Sequence, residues 1–172
     1  MNRRLVYLSI VVVFAALVMI ASRAKDRTPD AGRLYVTRVV DGDTILLSNG
    51  ERVRLIGIDT PEVHHSRKLQ RDAERSKTDI ETIQALGARS KEFTERLCLN
   101  RIVTLEFDAE KHDRYDRLLA YVYRDDGTFV NAKIVQEGFA KIMTIPPNVR
   151  HAALFRDLQE DARRNRRGLW AE

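Results

Sequence analysis

Three short stretches of the chain hold the residue types that phosphodiester chemistry needs. They are Asp41-Gly42-Asp43-Thr44, then Arg54 followed by Asp59-Thr60-Pro61-Glu62, then Asp113-Arg114-Tyr115-Asp116-Arg117. Taken singly, each is ordinary. Asp-Gly is a common turn, Asp59 and Glu62 read as solvated acids around a proline turn, and Arg54 reads as an exposed strand arginine. Taken together they are more specific. Carboxylates released at the end of a strand are oxygen ligands for a hard cation. Arg54 and Arg117 are two guanidinium forks of the kind that bind phosphate. A cation and guanidinium groups meet the charge on a crowded phosphorus centre while a glutamate handles water, so the set suits metal-assisted attack on a phosphodiester and requires no histidine.

The elements that must position these residues follow from local pattern. Leu34 to Val40, Thr44 to Leu47 and Arg52 to Gly57 read as three strands, the last two joined at Ser48-Asn49-Gly50-Glu51, whose Asn-Gly is a strong hairpin signal. Ile83, Leu86, Ser90, Phe93 and Leu97 recur at helical spacing and predict a helix over 83–98 with that face on the core. Arg101 to Phe107 and Leu118 to Tyr123 are strands four and five. Asn131 is expected to cap a short helix ending at Gly138. A last helix spans His151 to Arg166, with Leu154, Phe155, Leu158 and Ala162 inward and Gly168 as its stop. Five short strands with a helix after the third and helices after the fifth give an α+β fold, a five-stranded OB-type barrel with about three packed helices. The strands do not alternate with helices and no glycine-rich strand-to-helix turn occurs, which excludes dinucleotide and P-loop folds.

Charge alone is a poor guide to the partner. The formal charge of +5 comes from 30 basic and 25 acidic side chains, but residues 1–24 carry three arginines and no acid, leaving 27 bases against 25 acids in the remaining 148 residues. Arg3 and Arg4 precede an apolar run from Leu5 to Ala21, the layout of a secretory signal or an uncleaved N-terminal anchor. Such a run spans roughly 25 Å as a helix, between a signal-peptide core and a hydrocarbon thickness of about 30 Å. Ser22-Arg23-Ala24 has the small residues of a cleavage site with an arginine between them, so cleavage and retention both stay open. Either reading exports the rest, although Arg23, Lys25 and Arg27 blunt the positive-inside argument for orientation. The expected organisation is a signal or anchor over 1–24, a polar linker over 25–33 and one domain over 34–172.

From about Leu34 onward the chain resembles the staphylococcal-type thermonucleases, calcium-dependent extracellular nucleases built on an OB barrel. The resemblance rests on Val-Val-Asp-Gly-Asp-Thr (39–44), Val-Arg-Leu-Ile-Gly-Ile-Asp-Thr-Pro-Glu (53–62), Glu-Phe-Thr (92–94), Asp-Arg-Tyr-Asp-Arg-Leu-Leu-Ala-Tyr-Val (113–122) and Gly-Leu-Trp-Ala-Glu (168–172), in that order and spacing. It implies that Asp43, Asp59 and the backbone carbonyl of Thr60 hold Ca2+, and that Glu62 is the general base or orients the attacking water. Arg54 and Arg117 would bind the phosphate and stabilise the transition state, with Tyr115, and to a lesser degree Arg114, contacting the substrate. DNA and RNA would be substrates, 3′-phosphate ends the products, and the enzyme a monomer, outside the cytoplasmic membrane or tethered to it by residues 5–21.

Three features depart from the family pattern. The segment after Glu62 is longer, with nine charged residues in the seventeen from Ser66 to Thr82, a solvated loop or a lid over the metal mouth. Asp116 stands where a glycine is usual; aspartate tolerates left-handed backbone, but its charge beside Arg117 should weaken phosphate binding. Met143-Thr144-Ile145-Pro146 stands where the type member has a tyrosine pair, which removes base stacking.

Other features read as structural. His64 and His65 are adjacent and so poorly placed to aim at one metal ion. Arg163, Arg164, Arg166 and Arg167 complement a helix C-terminus. Cys98, Phe155 and Trp170 read as core, and a single cysteine excludes an internal disulfide. The rival to an enzyme is a non-catalytic OB module that binds nucleic acid or protein. It would have no need of Asp43, Asp59, Glu62, Arg54 and Arg117 together, and it would want exposed aromatics, which are scarce at 7%. A more distant rival is an envelope metal-binding protein using the histidine pair.

Overall fold

Alternating apolar side chains close a five-stranded barrel in the computed structural model, which describes residues 33–63, 69–70, 73–74 and 79–171. The apolar run at 5–21, nearly all of the expected linker, and His64 and His65 lie outside the described residues. Among the described residues no helix is long and apolar enough to cross a membrane. Strands β1 (Leu34–Asp41), β2 (Thr44–Leu47) and β3 (Arg52–Leu55) pair antiparallel in sequence. After β4 (Gly57–Asp59) and α1 (Ile80–Cys98) come β5 (Ile102–Glu106) and β6 (Leu118–Arg124). The barrel order is β1-β2-β3-β6-β5, with β3 and β6 parallel and β5 returning to β1. Val36, Val39, Ile45, Val53 and Leu55 fill its interior.

The third strand does not run unbroken to Gly57 as expected. It turns at Ile56, Gly57 takes φ +82°, and β4 leaves the barrel to pair antiparallel with β7 (Lys141–Met143), a three-residue strand with no clear signal in the sequence. A Cβ on Gly57 would stand 2.5 Å from the Phe155 ring, so neither this backbone nor this spacing admits a side chain. The break carries Asp59 out of the barrel wall and over the outer side of β3.

Helix α1 starts at Ile80, capped by Asp79, whose Oδ1 accepts the Thr82 N–H at 2.8 Å. Its buried stripe is Ile83, Gly87, Ser90, Thr94 and Cys98. The expected Leu86, Phe93 and Leu97 lie beside this stripe, half-buried. Small residues win the central positions because the helix packs against turn backbone and not only against side chains. N-terminal to it, Leu69-Gln70 and Ala73-Glu74 are helical and Leu69 is fully buried, so this part of the charged insertion is not a solvated loop.

Helices α2 (Val130–Gln136) and α3 (Ala152–Arg164) close the base of the barrel. Asn131 is not a cap. It is buried in the first turn of α2, where its Oδ1 accepts the Val122 N–H at 3.0 Å and its Nδ2 donates to Ile56 O at 3.0 Å. It thereby ties the end of β3 to β6. In α3 Phe155, Gln159 and Ala162 are buried and Leu158 packs half-buried against the core as expected, while Leu154 is exposed. Gln159 Oε1 accepts the Ile142 N–H at 2.9 Å and so fixes β7. The helix ends at Arg164, before Gly168, and Leu169 N–H donates to Gly138 O at 2.9 Å where the terminal turn crosses α2's exit. Trp170 is half-buried under the Arg163 guanidinium, 4.4 Å from its ring centroid, and is not a core residue. Phe155 and Cys98 are core, as expected.

Candidate active site

The β1–β2 turn places Asp43 beneath the segment that follows β4. Its Oδ2 accepts the Thr60 N–H at 2.9 Å and the Thr60 hydroxyl at 3.1 Å, and its Oδ1 accepts the Thr44 hydroxyl at 3.1 Å. Thr94 of α1 donates its hydroxyl to Gly42 O at 2.7 Å, so the helix holds the same turn from behind. A Cβ on Gly87 would stand 2.7 Å from Pro61 O and 2.8 Å from Glu62 O. The helix therefore lies directly on the Pro61-Glu62 backbone, and Gln84 Nε2 donates to Val63 O at 3.1 Å one turn earlier.

Arg54 is the hub. It is not an exposed strand arginine but only 9% accessible. Its Nη1 lies 3.0 Å from Asp43 Oδ2 and its Nη2 lies 3.0 Å from Asp59 Oδ1, so one guanidinium holds both carboxylates side by side. Nη1 also donates to Ile58 O at 2.9 Å. With Asp43 at 5% and Thr60 at 2% accessibility, most of this cluster is shielded from water, where charge–charge attraction is stronger than at the surface. Glu62 is half-buried two residues beyond Thr60.

Arg54 and Arg117 face the same cleft, of about 470 Å³, which Arg114, Tyr115, Leu119, Met143 and Ile145 also line. Arg117 is held by Asp113, whose Oδ2 lies 2.7 Å from Nε and 2.6 Å from Nη2. Oδ1 of Asp113 accepts the backbone N–H groups of Tyr115 at 2.9 Å and Arg117 at 3.0 Å. Burial pushes the Asp113 carboxyl upward, but these bonds from Arg117 and the two backbone amides outweigh it and hold the group below its usual range. Asp116 adopts φ 60°, the left-handed backbone expected of it, and is exposed. The acid that meets Arg117 is thus Asp113, not Asp116. Tyr115 is 65% exposed, with the Arg114 guanidinium 4.8 Å and that of Arg117 5.5 Å from its ring centroid.

Seven of the eight residues singled out in the sequence fall on two groups that meet at one cleft. Asp43, Arg54, Asp59 and Thr60 form one, and Arg114, Tyr115 and Arg117 the other, with Arg54 and Arg117 lining the same cleft, while Glu62 follows two residues after Thr60. The structure adds residues that act through these. Asp113 orients Arg117, and its position four residues earlier is the one signal that the sequence offered. Gln84, Gly87 and Thr94 back the acidic turn. Asn148, beside the cleft, accepts the Glu110 N–H at 2.8 Å and donates to Glu110 O at 2.9 Å, joining the two segments that form one wall.

The donor set fits a hard cation. Asp43 and Asp59 converge on one guanidinium, and Asp41, two residues before Asp43, has a buried Oδ1 with no hydrogen-bond partner. An orphaned buried acceptor is what an ion or a water would satisfy. All these donors are oxygens, which favours Ca2+ over a transition metal. Among the described residues no group of three or more acidic, histidine or cysteine side chains is placed to hold a metal ion, so backbone, water and substrate oxygens would have to complete any shell around Asp43 and Asp59.

Known proteins are similar to this chain. Residues 52–172 match the family of staphylococcal nuclease homologues. A thermonuclease of Staphylococcus intermedius is 36% identical over 150 residues, covering 85% of this chain and 81% of its own length. A thermonuclease of Staphylococcus hyicus is 32% identical over 139 residues, covering 79% and 74%. The endonuclease YncB of Bacillus subtilis is 31% identical over 140 residues, covering 78% of this chain and 60% of that protein. The five-stranded barrel, the motifs and these likenesses agree, and the chain belongs to the staphylococcal nuclease homologue family.

Proposed function

We propose that this protein is a Ca2+-dependent nuclease that hydrolyses DNA and RNA and leaves 3′-phosphate ends. The observation that carries the reading is the pairing of Arg54 and Arg117 on one cleft, with Arg54 gripping Asp43 and Asp59 at its inner end. The names of the relatives, two thermonucleases and an endonuclease, support the same reaction class.

The two guanidinium groups hold the scissile phosphate and meet the charge that builds on its oxygens as water adds. Glu62 takes the proton of the attacking water. The water oxygen bonds to phosphorus, the bond to the 5′ oxygen breaks with that oxygen taking up a proton from solvent, and the phosphate stays on the 3′ side. Asp43, Asp59 and the Thr60 carbonyl would hold Ca2+, which when bound supplies Lewis-acid polarisation of the phosphate and its water. Tyr115 and Arg114 flank the phosphate, and Met143 and Ile145 give the cleft an apolar wall for a sugar or base.

Residues 34–172 act as the nuclease domain behind a leader at 1–24 and a linker at 25–33, exported or tethered outside the cytoplasmic membrane and monomeric. The purified protein should cut single-stranded DNA and RNA with Ca2+ and stop in chelator. Binding without cutting across Ca2+, Mg2+ and Mn2+ would return the protein to the class of OB-fold binding modules. The mass of the mature protein, with cell fractionation, decides cleavage against retention of the leader.

A further inference from the structure

The outer face of the barrel carries a row of arginines that the reaction does not use. Antiparallel pairing sets Arg38 of β1 opposite Leu46 of β2, and Leu46 opposite Arg52 of β3. Paired residues point to the same side of a sheet. Val39, Ile45 and Val53, the neighbouring row, are buried inside the barrel, so the Arg38–Leu46–Arg52 row faces out. A register shift between Val36 and Arg38 gives β1 the local irregularity that turns Arg38 outward, where it and Arg52 are both exposed.

The row leads to the cleft. The parallel ladder pairs Val53 with Leu118 and Arg54 with Leu119, and Arg52 and Arg117 are the residues that precede the first of these pairs, so they lie at the same end of the adjoining strands. Across β6, β3, β2 and β1 the order is Arg117, Arg52, Leu46, Arg38. At about 4.8 Å between neighbouring strands it spans roughly 14 Å. Arg117 is balanced by Asp113, but among the described residues neither Arg38 nor Arg52 has an ion-pair partner. The nearest acids by register are Asp41, two rows nearer the site, and Glu51, in the turn before β3.

We propose that this row is a subsite for the single strand of nucleic acid beyond the scissile phosphate, Arg52 and Arg38 each taking one backbone phosphate and Leu46 seating the sugar between them. The proposal rests on the nuclease reading, since its argument is continuity with the arginine cleft and complementarity to a polyanion. Phosphate contacts of this kind position a strand without reading its sequence, and each adds to the salt dependence of binding.

The test compares the full-length protein with its Arg38→Gln/Arg52→Gln double variant, whose changes lie on the surface and leave Arg54, Arg117 and the acids in place. Substrates are a long single-stranded oligonucleotide and a dinucleotide. The expected result is a KM for the oligonucleotide raised about tenfold at low salt, with a log–log salt slope shallower by about 1.4, near 0.7 per lost contact. Its kcat and both constants for the dinucleotide should not change. An unchanged KM and salt slope for the oligonucleotide overturns the subsite. If the wild type cuts neither substrate, the nuclease reading fails separately, and the ratio of oligonucleotide affinities between variant and wild type still decides the row. A loss of affinity for vesicles of anionic lipid, with oligonucleotide binding intact, would assign the row to a membrane surface and also overturn it.

Discussion

Asp113 clamps Arg117 through both edges of its carboxylate: Oδ2 takes the side-chain Nε and Nη2, and Oδ1 takes the backbone N–H of the same arginine. The arginine is thereby fixed in direction before any phosphate arrives. Asp113→Asn keeps the shape but loses the charge and puts an amide NH2 where an acceptor stood. A small misplacement of a catalytic group costs on the order of 10² in rate. The expected outcome is a kcat/KM lower by about 10- to 100-fold, carried mainly by kcat, with partial recovery in Asp113→Glu. A purely structural role would instead lower the melting temperature and leave kcat of the folded fraction intact.

Acid should unfold this protein through a small set of depressed carboxyls. Glu106 is held low first by the hydrogen bond from Arg150 and then by the Tyr123 hydroxyl, against the opposing effect of burial. For Asp108 burial is the largest influence and pushes up, but the Arg150 amide, the Tyr121 hydroxyl and the Ala109 amide together prevail. Asp113 behaves alike. The Tyr123 hydroxyl, half-buried and bonded to Glu106, is pushed up to about 12 and stays a donor throughout. A folded value below the unfolded one, about 3.9 for Asp and 4.3 for Glu, means that the stabilisation is complete above those values and is lost as pH falls through the lower folded ones. Urea midpoints should therefore be flat near neutrality and drop steeply below about pH 4. Glu106→Gln should lower the neutral midpoint and make the acid limb shallower; an acid limb as steep as the wild type's would remove Glu106 from the set.

The kink at Gly57 is the joint on which the acidic site turns. Gly57→Ala must adopt φ near +82° and push its methyl into Phe155. Left-handed backbone costs a β-carbon residue about 1–2 kcal/mol, and overpacking a core ring adds about 1–3 kcal/mol. A loss of about 2–5 kcal/mol is expected, read as a shift in denaturant midpoint. Phe155→Leu in the same chain should recover part of it by removing the ring. If Gly57→Ala melted like the wild type, the ring could not be pressing on the kink.

The barrel was readable because strands β2 and β3 obey a period of two: Ile45 and Leu47, Val53 and Leu55 mark the inside, while Val36 and Val39, three apart, are both buried because of the irregularity in β1. What escaped is where backbone and not side chain decides. Gly57 continued the alternation of β3 on paper, while its positive φ ends the strand. Helical spacing selected Leu86, Phe93 and Leu97 on size, whereas close approach to Pro61-Glu62 requires Gly87 at the centre of the stripe. Asn131 stood where an asparagine caps a helix, yet its amide serves Ile56 and Val122 on two strands distant in sequence. At the site the groups that would touch substrate were legible from their types. Asp113, Asn148 and Thr94 were not, because each works through a second residue, and only the fold shows which one.

Arg54 should be the most costly single loss, and Ca2+ should partly compensate for it. Arg54→Gln leaves Asp43 and Asp59 side by side without the guanidinium that now separates them, and Asp43 is almost fully buried. Removing one partner of a buried ion pair costs about 3–5 kcal/mol, a fall in melting temperature on the order of 10 °C for a domain of this size. A cation placed between the same carboxylates relieves the same repulsion. The rise in melting temperature on adding Ca2+ should thus be larger in Arg54→Gln than in the wild type, and it should vanish in Asp43→Asn. At 100 times its Kd a ligand stabilises by about 2.7 kcal/mol, enough to recover much of the deficit but not all. Activity should stay low even with Ca2+ saturating, by roughly 10² to 10³, since the variant regains its fold and not its phosphate donor. Thermal melts in chelator and in Ca2+, beside oligonucleotide cleavage, separate the two roles; an equal Ca2+ shift in all three proteins would mean that the ion binds elsewhere.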